Sequence, residues 1–384
     1  MAFTSGEGFA PYLLDDLANI ALQNTPGTRL DPFGTTRFLY SQNRPEILRV
    51  HTARGHKKRA TVKYRKRLTK DETRTTKECD GITQNPYLEQ DVELVSERQI
   101  AFLLEDDLLR QYQDAASSQM NVGTPQAPIS MEMYNLILSG ANAILHGINE
   151  DLLTDMVTKL GTNVVTTTDL TAGADTVNIS TSSDFNDLNG GLTQILSHYS
   201  EHGGIGRPQV IGGGNFHNMM LKRGFQGPGQ NGLNTTGMLD TMDYFYDLDT
   251  QNILGANQIL VLQPDAYTLV DYLENIGNFV GPNRGDSYFG VINLPMMDAM
   301  GMITPVTFDY QLKWHDCATM YTDDETAQIV NGGKGWVMWL RKCTGVFAIP
   351  ADAYRSTDRL FGHRGALRYE VTNTCESCPP PAAP

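Results

Sequence analysis

The chain has 384 residues, a net charge of −14 and 19% charged residues, enough for two packed domains and too apolar for a disordered protein. That acidity argues against a protein whose main work is gripping nucleic acid, because such proteins are basic over at least one domain. The N-terminus lacks a basic segment followed by a long apolar run, and no stretch approaches bilayer length, so neither a secretion signal nor a membrane span is expected.

Five cysteines, Cys79, Cys317, Cys343, Cys375 and Cys378, are few and odd in number, as suits a reducing cytoplasm. Residues 1–45 read as an arm. Ala10–Gln23 places Leu13, Leu14, Leu17, Ile20 and Leu22 near helical spacing, but it is too short to stand alone and must dock. Pro26, Gly27, Pro32 and Gly34 break the chain after it.

Arg54–Lys77 then gathers eleven of the thirty Lys and Arg, with only Asp71 and Glu72 against them. The remainder keeps 19 basic and 42 acidic residues, a balance near −23. Ala60, Val62, Tyr64 and Leu68 alternate with Thr61, Lys63, Arg65 and Arg67, which is the period of a strand, and Lys66 breaks the apolar side. Burying unpaired ammonium and guanidinium groups costs too much for such a strand to sit inside its own core. It must lie on a surface, its own or a partner's. A solvated loop also carries charge runs of this kind. Nucleic acid, anionic lipid or an acidic copy of the same chain would each accept the limb. Self-association fits the charge imbalance best, since every copy carries both the limb and its complement. Gln90–Ser96 sets Asp91 and Glu93 between apolar neighbours and reads as the second strand of a long projecting hairpin.

Glu97–Ala116 reads as a helix, with Ile100, Leu103, Leu104, Leu108 and Tyr112 on one side. After a loop with Gly123, Pro125 and Pro128 comes the longest helix candidate, Ser130–Leu160. Met133, Ile137, Ala141, Ile144, Ile148, Leu152, Met156 and Leu160 form one stripe over roughly 45 Å. Ser130 suits the N-cap, Glu132 the first turn and Gly161 the stop, while Gly140 and Gly147 weaken the helix or kink it. Residues 164–180 suggest two short strands. Ser183–Tyr199 reads as a helix, Gln209–Ile211 as a strand, and Phe216–Arg223 as a helix after a glycine turn. Met242–Gln251 and Asn257–Asn275 supply further strand and helix, completing a compact α+β region over 181–290. Beyond 291 strands return: Val306–His315, a strand pair in Gly335–Pro350, and Arg368–Thr372. The tail 375–384 is expected to be loose.

Several patterns invite enzymatic readings. His198, Glu201 and His202 form H-x-x-E-H, the inverted zinc-protease spacing, but no third ligand stands at an expected distance. The turn Gly212–Gly214 follows a strand and opens a helix as phosphate loops do, yet His217 occupies the third glycine position and no Lys-Ser/Thr follows. Asp240, Asp243, Asp247 and Asp249 fit no EF-hand and read as a solvated acidic surface. Cys375 and Cys378 lie on a proline-rich tail without a second pair. No catalytic residue, cofactor or metal is expected.

The order of arm, charged hairpin, long helix, inserted α+β domain and returning strands resembles the major capsid proteins of tailed bacteriophages, the HK97-like fold. "RPQVIGGGNFHNMMLKR" also looks like a strand–turn–helix of that family's axial domain. The resemblance implies an N-terminal arm (1–45), an extended loop or E-loop (46–96), a peripheral domain (97–180) with its spine helix at 130–160, an axial domain (181–290), peripheral return strands (291–374) and a tail (375–384). It implies a structural protein, not an enzyme, that self-assembles as hexamers and pentamers into an icosahedral shell around double-stranded DNA held weakly. Lys57, Lys58, Arg59, Lys63, Arg65, Lys66 and Arg67 are the expected intersubunit contacts. Scaffold, portal and decoration proteins are the implied partners. Since no scaffolding segment precedes the arm, the scaffold is expected to be separate or the chain already mature. The implied location is the virion, assembled in the host bacterial cytoplasm, without a membrane. An encapsulin-like compartment shell shares the fold and is the nearest alternative. A metal- or nucleotide-binding enzyme using His198, Glu201 and His202 or the Gly212–Gly214 turn is the alternative of a different class.

Overall fold

The computed structural model describes residues 30–31, 33–51, 58–65, 86–105, 128–160, 176–178, 195–197, 199–200, 204, 206–214, 216–217, 242–255, 258–274, 287–297, 303–315, 319–321, 329–331, 335–350 and 365–372. The helices named below are α1 (Gly34–Ser41), α2 (Pro128–Leu160) and α3 (Thr250–Ile253). The strands are β1 (Glu46–His51), β2 (Arg59–Arg65), β3 (Tyr87–Glu93), β4 (Ser96–Glu105), β5 (Thr176–Asn178), β6 (Gln209–Gly212), β7 (Asp243–Tyr246), β8 (Gln258–Leu262) and β9 (Tyr267–Tyr272). They continue with β10 (Ser287–Met297), β11 (Ile303–His315), β12 (Thr319–Tyr321), β13 (Ile329–Asn331), β14 (Gly335–Ala348) and β15 (Ala366–Thr372). The expected helix Ala10–Gln23, the sites at His198, Glu201 and His202, Asp240 and four of the cysteines lie outside the described residues; Cys343 is buried.

The long helix follows from its apolar stripe. Ile137, Ala141, Ile144, Ile148, Leu152 and Met156 are all buried, and Tyr134, Leu138, Leu145 and Leu153 widen the stripe into a face. The helix starts at Pro128, two residues before the expected cap. Proline is well placed there, since a first-turn N–H has no partner within the helix.

The described residues form two compact units, the first within Met1–Pro32, Ser96–Ile148 and Asp271–Thr344, the second within Phe33–Val95, Asn149–Val270 and Gly345–Pro384. The first unit is built on an antiparallel sheet of order β10-β11-β14-β4, with β9 also paired to β14. β10 and β11 pair residue for residue from Ser287–Lys313 to Met297–Ile303. Leu30 adds a single parallel bridge at Met296. β12 and β13 form a small antiparallel pair.

The helix expected over Glu97–Ala116 is instead a strand over its described part. Its apolar residues suit either period, and ten consecutive pairs with β14, from Ser96–Thr344 to Glu105–Gly335, decide in favour of the strand. One face of β4 lies against α2, and the two helix glycines make that possible. A Cβ on Gly140 would overlap the Phe102 ring, and one on Gly147 would press on the Arg98 guanidinium at 3.1 Å. Alanine at 140 would gain about 1 kcal/mol in helix propensity. The overlap costs about 1–3 kcal/mol, so Gly140→Ala is expected to lower the thermal midpoint. A raised midpoint would refute this packing.

The expected strand pair in Gly335–Pro350 is one continuous strand, β14. Gly345 does not turn the chain. It lets the backbone pass the Glu93 carbonyl, which a Cβ would approach to 2.7 Å. A lysine sits in the middle of this strand: Lys342 and Asp271 are both essentially inaccessible, with Nζ 2.9 and 3.0 Å from the two carboxylate oxygens. The ammonium also donates to the Thr307 carbonyl at 2.7 Å.

The second unit carries a sheet of order β5-β15-β8-β6-β7. β15, read from the sequence with the strands after 291, pairs antiparallel with β8 here. β6 and β7 run parallel, an arrangement that needs a crossover between them. Val210, Ile259, Val261, Leu367 and Tyr369 of this sheet bury Ile195, Tyr199 and Phe216. The two stretches expected to supply strand and helix, Met242–Gln251 and Asn257–Asn275, give β7 and α3, then β8 and β9, the last two joined by a turn with Asp265 at φ 61°.

Helix α1 is strapped to this unit at both ends. At its N-terminal end, Thr35 N and Thr35 Oγ1 donate to Asp247 Oδ2 at 2.6 and 2.5 Å. Thr36 N and Oγ1 donate to Asn149 Oδ1 at 2.9 and 3.0 Å, and Asn149 Nδ2 donates to both Asp247 oxygens and to Asp249 Oδ2. Asp249 N closes the network on Asp247 Oδ1 at 2.9 Å. Beyond its C-terminal end, Asn43 N and Nδ2 donate to the two oxygens of Asp265, whose own N–H donates to Gln42 Oε1. Between them Phe38 packs edge-on to Phe245. The aspartates expected on a solvated surface are thus divided. Asp247 and Asp249 are buried, and Asp243 pairs with Arg207 at 3.2 Å. An acidic stretch of sequence looks solvent-facing until the amide that answers it, about a hundred residues away, is brought in.

Candidate functional site

The basic limb is the centre of a three-stranded antiparallel sheet, β1-β2-β3. Alternation dictates its two faces. Ala60 and Val62 of β2 and Val92 of β3 are buried on one face, where Tyr64 tilts against Phe347 at 5.8 Å. Arg59, Thr61, Lys63 and Arg65 point to the other. They are level with Glu93, Asp91, Glu89 and Tyr87 of β3. On the β1 side His51 is level with Arg59, Arg49 with Thr61 and Glu46 with Lys63. β2 therefore presents a stripe of bases beside a stripe of acids on β3.

Local contacts hold this outer face in order. Thr61 Oγ1 donates to Asp91 Oδ1 at 2.7 Å and accepts from Arg49 Nε at 3.3 Å. Lys63 Nζ is 3.6 Å from Glu46, and Arg49 is 3.8 Å from Glu89. These exposed pairs are each worth about 0–1 kcal/mol. Lys63 Nζ and Arg65 Cζ stand 3.8 and 3.9 Å from the centre of the Tyr87 ring, which is 49% exposed. An exposed ring beside two cations gains roughly 0.5–1 kcal/mol from each.

Of the residues singled out from the sequence, Arg59 and Arg65 are exposed, Lys63 and Lys58 half-buried. The Lys58 carbonyl accepts from Leu94 N at 2.9 Å. Lys57, Lys66 and Arg67 lie outside the described residues. Sequence reasoning missed β1 altogether. The register slips between Ile47 and Arg49, so Leu48 is the extra residue and stands 42% exposed. Two adjacent apolar residues there hid the period of two. Tyr87 was missed as well; the signal available was an aromatic at the start of the acidic strand.

The glycine turn is packed rather than open. A Cβ on Gly212 would meet Phe216 at 3.0 Å and Ile259 at 3.2 Å, and one on Gly213 would come within 2.6 Å of Thr250 Oγ1. The glycines admit neighbours from their own unit. His217, where a nucleotide loop would have glycine, stacks on Tyr246 at 4.3 Å. Among the described residues no group of three His, Cys, Asp or Glu is arranged to hold a metal ion, and no helix is long and apolar enough to cross a membrane.

No family model and no curated protein matches the chain. Solved structures do. One titled Mycobacterium phage Bobi is similar over 91% of this chain and 93% of its own, at 10% identity and a TM-score of 0.40. The capsid structure of the cyanophage P-SCSP1u is similar over 87% and 90%, at 10% identity and 0.33. The satellite phage P4 procapsid, which includes the size determination protein, is similar over 81% and 83%, at 9% identity and 0.36. The chain resembles phage capsid structures. The likeness spans most of each chain, but the backbone overlap is loose.

Proposed function

We propose that this chain is the major capsid protein of a tailed bacteriophage, of the HK97-like kind, and that it assembles with copies of itself into the shell around double-stranded DNA. The observation that carries the reading is the sheet β1-β2-β3. One face is buried on its own unit, while the other is charged almost throughout and bears long exposed side chains. Such a face suits contact with a neighbour better than a catalytic role, since it offers area and register but encloses nothing. Residues 46–96 then serve as the extended loop and α2 as the spine, and the arm of 1–45, held to its own unit through α1, reaches a neighbouring subunit with the residues before Leu30. Arg59, Lys63 and Arg65, with Lys57, Lys58, Lys66 and Arg67, make the intersubunit contacts. Assembly proceeds through hexamers and pentamers, with scaffold, portal and decoration proteins as partners in the host cytoplasm. The acidic balance of the chain keeps its hold on packaged DNA weak.

The test is particle size, by light scattering and negative-stain microscopy of the purified full chain at low and high salt. Closed shells or capsomer rings are expected, weakened by Arg59→Glu with Arg65→Glu. A monomer or dimer under every condition would overturn self-assembly by this chain.

A further inference from the structure

We propose that β10 pairs with β10 of a second copy, antiparallel about a two-fold axis, so that the sheet of the first unit continues from one subunit into the next. The proposal deepens the assembly reading and rests on it. β10 is an edge of its sheet. In an antiparallel pair, alternate residues turn both N–H and C=O toward the partner strand or away from it. Leu30 N donates to the Pro295 carbonyl at 2.9 Å from the side away from β11, so Pro295 points outward. Pro305 stands opposite it on β11, and neither proline has an N–H to lose there. The register with β11 runs without a slip, so the backbones of Asn293, Val291, Phe289 and Ser287 point outward too. Among the described residues, Leu30 alone bonds to this edge. Edge strands are normally guarded by charges, bulges or short length. The other edges here follow that rule. β1 has Glu46, Arg49 and its bulge, β3 its row of acids, and β4 has Glu97, Arg98 and Glu105. β5 and β7 have only three and four residues. β10 has eleven residues, no charge, and a proline only beyond Asn293.

The chain's own arm does not suit this edge. A parallel continuation of the Leu30–Met296 bridge would set Thr28 against Leu294 and Pro26 against Ile292. The Thr28 carbonyl would then need an N–H from Pro295, and the Val291 carbonyl one from Pro26, and proline has none. A second β10 does suit it. Centred on Gly290, the antiparallel register sets Phe289 opposite Val291 of the second copy, and Ser287 opposite its Asn293. All four outward residues then exchange both of their hydrogen bonds. An aromatic residue opposite a β-branched one is a favourable cross-strand pair. Phe289 and Val291 are half-buried and Asn293 is exposed, so pairing has side-chain surface left to cover. The contact is isologous, since each position meets its counterpart in both directions. It uses none of the basic residues of the limb. Ring contacts through the charged sheet therefore stand beside it, and the β10 pair joins one ring to another.

The experiment first follows amide hydrogen exchange, residue by residue, in the full wild-type chain before and after assembly. Assembly is expected to slow the Phe289, Val291 and Asn293 amides at least about tenfold. Those of Gly290 and Ile292, already bonded to β11, should change little. Unchanged exchange at the outward amides overturns the pairing while assembly stands. Two variants then identify the occupant by sedimentation velocity over a range of concentrations. One carries Phe289→Lys and Val291→Lys, the other Phe289→Glu and Val291→Glu. Each alone sets like charges opposite one another across the axis, and their equimolar mixture sets unlike charges there. Each alone is expected to raise the concentration for half-assembly at least about tenfold, and the mixture to return it to within about threefold of the wild type. Protected Gly290 and Ile292 amides in the unassembled variants show that their own sheet is intact. With that sheet intact, a mixture no better than either variant means that another strand holds the edge, and the two-fold pairing is overturned. A wild-type chain that stays monomeric under every condition overturns the assembly reading itself.

Discussion

Lys342→Met is expected to destabilise the first unit by about 3–5 kcal/mol, because it strips the cation from a buried carboxylate. Asp271 is 2% exposed in its side chain and holds the Lys342 ammonium with both oxygens. Without that partner its charge stays uncompensated in a low-dielectric setting. The single variant should therefore unfold at lower urea. The double variant Lys342→Met with Asp271→Leu should recover most of the loss, since a buried ion pair is often no better than an apolar pair of like volume. Urea midpoints of the unassembled subunit measure both. An unchanged midpoint for the single variant would mean that water reaches the site and that the pair is not buried in solution.

The second large effect is expected at Asp247. Its two oxygens accept from Thr35 N, Thr35 Oγ1, Asn149 Nδ2 and Asp249 N. Asp247→Ala leaves several of these donors without their acceptor, at about 1–3 kcal/mol for each that stays buried, and a net loss of about 3–5 kcal/mol is expected. Asp247→Asn should cost less, since the amide keeps one acceptor oxygen and, like the neutral carboxyl that burial favours, carries no charge. Hydrogen exchange at Thr35 and Thr36 should rise in both variants, and protection equal to the wild type would show that α1 is held by other means. Burial pushes the Asp247 carboxyl above the ordinary carboxylate range, against the pull of hydrogen bonds from Thr35 and Asn149. A raised folded-state pKa makes this group's contribution fullest at low pH, below the ordinary value near 3.9. It is lost as pH rises through the folded value. In the wild type the strap is therefore expected to be better protected in mild acid than at neutral pH, and that difference should vanish in Asp247→Ala.

What could be read from the sequence was local. The stripe of α2 repeats every three or four residues, and nothing nearby competes with it. The pairing of β2 with β3 was visible because both strands alternate cleanly and carry opposite charge. β4 was misread because Ile100, Leu103 and Leu104 satisfy a helical period as well as a strand's, and the partner that decides between them is β14, more than two hundred residues away. β1 was hidden by its bulge at Leu48. Nothing local marks Lys342 as buried, since its carboxylate lies 71 residues earlier. The Asp247 network joins segments separated by 98 to 212 residues. Periodicity reports which face of an element is apolar. It is silent about which distant polar group answers a buried one, and both buried networks depend on that.

The strap on α1 has a mechanical meaning. The residues bonded to Asp265 are Gln42 and Asn43, three to four positions before the charged sheet begins at Glu46. A pull on that sheet along the chain reaches this attachment first, and three hydrogen bonds share the load. Asp247 takes up force only after the first anchor yields and the helix beyond Thr36 unwinds. The fold thus places two fasteners in series behind the charged sheet, so tension on the limb is met in two stages before it reaches residues 1–33.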